Sequence, residues 1–203
     1  LKVENGILTT GDSQTITISS SKGYILNGIT NTLKVLEGNN ELNGSVINAY
    51  KTAVVFGDVG DNNQLTLSGT IVNGGIDEDD DPTSDAKVPA ILGSGNGDTL
   101  ILQSGKIKYT NGNEVTQNTI VNGNINMGAG ADSLTIGDGT IINGTLDGGD
   151  SDSEDTLNFG ISSGAKSIPA KSQGVNIIHN ISNFKNMNIN TNVTLFEKIV
   201  KDD

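Results

Sequence analysis

The segment Thr119-Ile120-Val121-Asn122-Gly123 recurs 21 residues later as Thr140-Ile141-Ile142-Asn143-Gly144. The same phrase stands upstream as Thr70-Ile71-Val72-Asn73-Gly74. Recurrence of this kind is typical of repeat architectures, in which each unit stacks on the next. Each copy carries β-branched residues and ends in a turn-forming Asn-Gly pair, so each copy predicts a short β-strand followed by a turn.

A second phrase combines an acidic or amide residue with x-Leu-x-aliphatic, and a glycine follows shortly afterwards. Its copies begin at Asn63, Asp98, Asp132 and Asp155, and the glycines are Gly69, Gly105, Gly137 and Gly160. The last two copies are 23 residues apart, whereas the upstream spacings are 35 and 34 residues. The longer spacings predict irregular insertions near residues 76–90 and 110–117.

These periods predict an all-β fold, a parallel β-helix (β-solenoid) with coils of about 21–23 residues. The crossover rule for parallel strands favours a right-handed coil. Aliphatic ladders would fill a narrow interior, and about nine coils would fit in the chain. An antiparallel β-sandwich also has short strands and frequent turns, but it does not explain why one phrase recurs in register. Residues 1–203 are interpreted as a single β-helix segment, a fragment of a longer chain.

The composition excludes several classes of protein. The 203 residues include no Cys, no Trp and no Arg, and the net charge is −12. Without Cys there is no disulfide framework and no thiolate zinc site. Without Arg, and with this negative charge, binding to nucleic acid or to an anionic lipid surface is not expected. No apolar run approaches 18 residues, so no transmembrane segment is expected.

The segments Gly128–Gly144 and Ile181–Phe196 resemble the passenger region of type V autotransporters, specifically the large fusobacterial outer-membrane adhesins. The resemblance implies a β-helix at the cell surface, with the parent protein anchored by an outer-membrane β-barrel. It implies attachment to a host or bacterial cell-surface receptor, which would be a protein or a glycan. We therefore expect a non-enzymatic adhesin segment that binds or acts as a stalk.

Two groups of acidic residues are candidates for calcium binding. The segment Gly128–Leu134 overlaps the nonapeptide of calcium-binding β-rolls, in which Asp carboxylates and Gly carbonyls share a hard cation. A second cluster follows within one coil. The calcium candidates are Asp132, Asp150, Asp152 and Asp155. The alternative interpretation is a set of solvated turns whose Asp residues cap strands. No other cofactor is expected, and a calcium-stabilised stalk remains an alternative function.

A polysaccharide-acting enzyme is the second alternative. Asp132 and Asp155 lie one coil apart, so stacking would place them about 5 Å from each other, within the range of a catalytic carboxylate pair. Every acidic ladder has this spacing, however, and the chain lacks the Arg and Trp that sugar-cleaving β-helices present. We therefore predict no enzymatic activity and assign no catalytic residue.

The insertion near 76–90 carries the strongest run of charge. Its acidic residues are Asp77, Glu78, Asp79, Asp80 and Asp81. Runs of like charge are usually solvated loops. Because insertions between coils project from one face of a solenoid, these five residues are also candidates for contact with a ligand.

Overall fold

The computed structural model describes residues 7–9, 17–18, 25–28, 33–35, 39–49, 51–58, 62–75, 88–109, 111–150, 152–160, 174–177 and 180–195. Their strands form three seven-stranded sheets and one two-stranded sheet. Sheet 1 contains β1 (Ile7–Thr9), β4 (Leu33–Val35), β7 (Val54–Phe56), β10 (Ile91–Leu92), β15 (Ile125–Asn126), β18 (Leu146–Asp147) and β21 (Ile181–Ser182).

The other two large sheets contain the remaining strands of the stack. Sheet 2 contains β2 (Thr17–Ile18), β5 (Asn39–Asn43), β8 (Asn63–Ser68), β11 (Asp98–Gln103), β16 (Ser133–Ile136), β19 (Thr156–Phe159) and β22 (Asn186–Ile189). Sheet 3 contains β3 (Ile25–Gly28), β6 (Val46–Ala49), β9 (Ile71–Asn73), β14 (Ile120–Asn122), β17 (Ile141–Asn143), β20 (Val175–Ile177) and β23 (Val193–Leu195).

The chain visits sheets 1, 2 and 3 in turn and then returns to sheet 1, and every pairing within these sheets is parallel. Each circuit is one coil of a parallel β-solenoid, as the repeats predicted. The described residues contain no helix and form seven coils rather than nine. The number is smaller because stacked partners are up to 49 residues apart, as for Thr70 and Thr119, where insertions lengthen the coil.

Aliphatic side chains from all three sheets fill the interior. Alternate residues of a strand point to opposite faces, and in-register pairing brings like residues onto like. Sheet 2 contributes two inward rows, Leu65, Leu100, Leu134 and Leu157, and Leu67, Leu102, Ile136 and Phe159. Sheet 3 contributes Ile47, Val72, Val121 and Ile142. Sheet 1 contributes Val54, Ile91, Ile125 and Leu146. The core is therefore narrow and mainly aliphatic, and Phe56 and Phe159 are the buried aromatic residues of its described part.

Each letter of the Thr-Ile-Val-Asn-Gly phrase has a structural role. The Thr119 hydroxyl is buried, donates to the carbonyl of Gln103 at 2.6 Å and accepts the N–H of Thr70 at 3.1 Å. Val121 points inward, and the Asn122 side chain donates to Asn73 Oδ1 at 2.6 Å in the coil below. Glycine closes the phrase because the coils approach closely at this corner. A Cβ on Gly144 would overlap the carbonyl of Gly123.

The insertion predicted near 110–117 is a β-hairpin. Strand β12 (Gly105–Lys108) pairs antiparallel with β13 (Glu114–Gln117), so the segment is ordered rather than irregular. Lys106 and Glu114 form an ion pair of 3.0 Å on its exposed side. Of the insertion predicted near 76–90, residues 76–87 lie outside the described residues.

Candidate functional site

The outer face of sheet 2 carries an open groove of about 490 Å³. It is lined by Glu41, Thr66, Ile101, Gln103, Thr135, Asn158, Gly160 and Asn190. The first and last of these residues belong to coils five strand spacings apart. At about 4.8 Å for each spacing, the groove runs roughly 24 Å along the axis of the solenoid.

In-register stacking produces the groove's central row. Glu41 pairs with Thr66, Thr66 with Ile101, Ile101 with Thr135, and Thr135 with Asn158. All five are outward positions, because their neighbours along each strand point into the core. The row therefore presents one side chain from each of five successive coils to the same solvent-facing surface.

Glycine residues open the groove along one side. Gly160 follows β19 with a φ of 82°, a conformation that favours glycine over other residues. Gly137 occupies the corresponding place one coil earlier, because β16 and β19 pair in register up to Ile136 and Phe159. Gln103 and Asn190 keep side chains at the equivalent places in other coils. In this second row, the two glycines lie between the side chains of Gln103 and Asn190, and the missing side chains leave a depression in the surface.

Five of the eight residues that line the groove carry hydroxyl or amide side chains, and Ile101 adds an apolar one. Asn158 Nδ2 lies 3.4 Å from Thr135 Oγ1, and Asn188 Nδ2 donates to Asn158 Oδ1 at 2.8 Å. Gln103 Nε2 donates to Ser68 Oγ at 2.9 Å. Among the described lining residues Glu41 alone is ionisable. Such groups both donate and accept hydrogen bonds, so the surface suits an extended, uncharged, polar ligand.

A second arrangement lies in the interior, at the turn that leads into sheet 2. Asn63, Asp98, Asp132 and Asp155 stack in successive coils, and all four are buried. Asn63 Nδ2 donates to Asp98 Oδ1 at 3.1 Å. The backbone N–H of Asp98 donates to Asp132 Oδ1 at 2.6 Å, and that of Asp132 donates to Asp155 Oδ1 at 2.8 Å. We call these four residues the carboxylate ladder.

Burial changes the acidity of the ladder. Removal from water, together with the neighbouring carboxylates of Asp98 and Asp155, raises the pKa of Asp132 to about 7, although the hydrogen bond from the Asp98 backbone lowers it. Burial also raises the pKa of Asp98 and of Asp155. For Asp155, the nearby carboxylates of Asp150 and Asp147 act in the same direction.

The structure separates the four calcium candidates into two pairs. Asp132 and Asp155 belong to the buried ladder, whereas Asp150 and Asp152 are exposed in the preceding turn. Asp150 Oδ1 accepts the backbone N–H of Asp152 at 3.2 Å, as in a local turn. Within the described ranges, no group of three or more His, Asp or Glu side chains is arranged to hold a metal ion.

Asp132 and Asp155, the pair with the spacing of a glycosidase site, do not face the groove. Both side chains are buried at a corner of the solenoid, and each Oδ1 atom accepts a backbone N–H. A catalytic pair must contact a sugar from two sides of the bond that breaks, which this placement prevents. The ligand-contact candidates Asp77, Glu78, Asp79, Asp80 and Asp81 lie outside the described residues.

The groove residues were not singled out from the sequence. The glycines after each x-Leu-x-aliphatic phrase were a usable signal, because a missing side chain in an outward row lowers the surface there. The buried ladder had a clearer signal, since an acidic or amide residue precedes every copy of that phrase.

Comparisons with known proteins identify no relative: no family model, no curated protein and no solved structure matches the chain at a significant level. The described part of the chain contains no helix that is long and apolar enough to span a membrane.

Proposed function

We propose that this chain is a non-enzymatic adhesive module of a bacterial cell-surface protein, and that the groove on sheet 2 is its binding face. The observation that carries the proposal is the row of outward side chains, three with hydroxyl or amide groups besides Glu41 and Ile101, that successive coils bring to one open surface. A repeating row of this kind offers many weak and similar contacts. It suits attachment to an extended polymer such as a glycan.

The stiffness of the rod supports the same function. Three parallel sheets continue from β1 to β23, and one hydrophobic core extends from Leu42 to Phe159 within the described residues, so the coils stack as one column. Ladders of hydrogen-bonded Asn side chains, such as Asn73, Asn122 and Asn143, fasten neighbouring coils on the outside. A column of this kind holds its binding face at a fixed distance from the surface that carries it.

The cell-surface setting is part of this proposal. It is supported by the resemblance of Gly128–Gly144 and Ile181–Phe196 to autotransporter passengers. The charge of −12 fits a receptor that is not a polyanion. The polysaccharide-acting alternative is disfavoured because Glu41 alone of the described groove residues is ionisable, so the groove presents no carboxylate pair.

The test is attachment of beads coated with the chain to host cells, bacterial cells and immobilised glycans. Thr135→Lys places a long charged side chain in the middle of the groove and should reduce attachment at least about tenfold, the equivalent of about 1.4 kcal/mol for each bound site. Ser182→Lys adds the same charge at an exposed position of sheet 1 and should leave attachment unchanged.

Two results would contradict the proposal. Attachment that is equal in both variants would place the binding face elsewhere. Absence of attachment to every surface, by a wild-type chain that is folded and densely displayed on beads, would reduce the chain to a spacer.

A further inference from the structure

Three buried oxygen atoms of the carboxylate ladder have no partner, and two of them, on Asp132 and Asp155, belong to groups that can ionise; the third is Oδ1 of Asn63. Oδ2 of Asp132 and Oδ2 of Asp155 are inaccessible to solvent and make no hydrogen bond, although each Oδ1 atom accepts a backbone N–H. An ionised carboxylate in this position would have its charge on an unsolvated oxygen. Burying such a charge costs far more than burying the neutral acid, so the site requires a bound positive species.

Within the part of the chain that the structure describes, the charged groups around the ladder do not supply a counter-charge. Asp58 lies near Asp98, and Asp147, Asp150 and Glu154 lie near Asp155, so these neighbours add negative potential. Lys185 follows Asp155 in register, and its backbone N–H donates to the Asp155 carbonyl at 3.1 Å. Its ammonium group, however, pairs with Glu154 on the exposed surface and not with the ladder.

A divalent cation fits the site poorly. Calcium needs six to eight oxygen ligands. The adjacent turn carbonyls already accept hydrogen bonds, that of Ser94 from Ala129 at 2.8 Å and that of Gly128 from Asp150 at 2.9 Å. Within the described ranges no third acidic side chain or histidine completes a metal-binding group.

We propose that the carboxylate ladder is a proton-binding site, in which the Asp132–Asp155 pair holds a proton on an Oδ2 atom and its release weakens the stacking of the coils. The proton removes the charge from one unpartnered oxygen and relieves the repulsion between two carboxylates in adjacent coils. The rod would then hold together more strongly in an acidic environment than in an alkaline one.

The direction of the pH effect follows from linkage. The pKa of Asp132 is raised to about 7 in the folded chain, against 3.8 for an unperturbed side chain. The folded state therefore binds the proton more tightly than the unfolded state does. This contribution to stability is complete below about pH 4 and is lost as the pH rises to about 7.

Thermal unfolding between about pH 4.5 and about pH 8 tests the proposal. The Tm of the wild-type chain should fall by several degrees over this range, and Asp132→Asn should flatten the slope because an amide cannot ionise. Asp152→Asn removes an equal but exposed charge and should keep the wild-type dependence of Tm on pH. This control distinguishes an effect of the ladder from an effect of general charge repulsion. Asp155→Asn serves as the second ladder variant if Asp132→Asn does not fold.

An infrared band of a protonated carboxylic acid in the folded chain at about pH 6, lost in Asp132→Asn or Asp155→Asn, would identify the proton directly. A wild-type slope in the ladder variants would overturn the proposal. It would also be overturned if added calcium raised the Tm and abolished the pH dependence in the wild-type chain, since the site would then hold a divalent cation.

Discussion

The backbone N–H of Asp132 donates a hydrogen bond of 2.8 Å to Oδ1 of Asp155, which lies 23 residues further along the chain. The same contact joins Asp98 to Asp132. At this corner each coil is thus fixed to the next by a side chain as well as by the neighbouring strand pairs. A register shift between coils would break these buried bonds, so the ladder helps to specify which residues face the groove.

The loss of stability on truncating a core side chain should depend on the position of its coil in the stack. Leu134 is fully buried in the inward row of sheet 2, whereas Met187 continues the same row in the last described coil and is 47% exposed. Leu134→Ala should lower the free energy of unfolding by about 2–5 kcal/mol. Met187→Ala should cost clearly less, and urea denaturation of both variants measures the difference. If both variants lost the same free energy of unfolding, the last described coil would not be the exposed end of the core.

Close approach of the coils should make one glycine indispensable. Gly149 has a φ of 103°, and a Cβ there would overlap the carbonyl oxygen of Gly128. Gly112, in the hairpin, has a φ of 86° but open space around it. Gly112→Ala should therefore cost only the backbone strain, about 1–2 kcal/mol. Gly149→Ala should lower the urea midpoint much further, and similar midpoints would show that the coils are not in contact there.

The Asn ladder on sheet 3 should depend on the donating amide of each member. Asn122 Nδ2 donates to Asn73 Oδ1 at 2.6 Å, and Asn122 Oδ1 accepts from Asn143. Asn122→Asp replaces the donor with an oxygen and should cost about 1–3 kcal/mol at neutral pH. Part of this loss should return below about pH 3, where the protonated acid donates again. Asn113→Asp, on the exposed hairpin turn, is the control and should have little effect in the same denaturation series.

Much of the fold followed from two short phrases. The Thr-Ile-aliphatic-Asn-Gly copies contain β9, β14 and β17, and the x-Leu-x-aliphatic copies contain β8, β11, β16 and β19. The alternation of apolar and polar residues identified the strands, and the recurrence of the two phrases identified the stacking of the coils. The described residues form fewer coils than predicted because insertion lengths, such as that of the β12–β13 hairpin, follow no period.

The sequence carried signals for both site features, but these signals did not place either feature, for different reasons. Asp132 and Asp155 were open to interpretation as solvated turn residues because an acidic side chain usually lies at the surface. Their burial depends on how sharply the chain turns into sheet 2, which backbone hydrogen bonds to the carboxylates determine. The groove depends on which outward row lacks side chains, and that is visible only once the register of every coil is known.

The in-register stacking of sheet 2 is the claim on which the groove and the ladder both depend, and a disulfide test measures it directly. The chain has no Cys, so introduced pairs can be read without interference. Thr135 and Asn158 are paired in adjacent strands, at a Cα separation of about 4.8 Å that a disulfide can bridge. Thr135 and Thr99 also face outward from adjacent strands but are two residues out of register, roughly 8 Å apart and too far for a bridge.

Mild oxidation followed by non-reducing electrophoresis and mass spectrometry should show an intramolecular disulfide in the Thr135→Cys/Asn158→Cys variant. It should show free thiols in the Thr135→Cys/Thr99→Cys variant. The reverse result, or equal bridging in both variants, would contradict the stacking register and with it the position of the groove and of the carboxylate ladder.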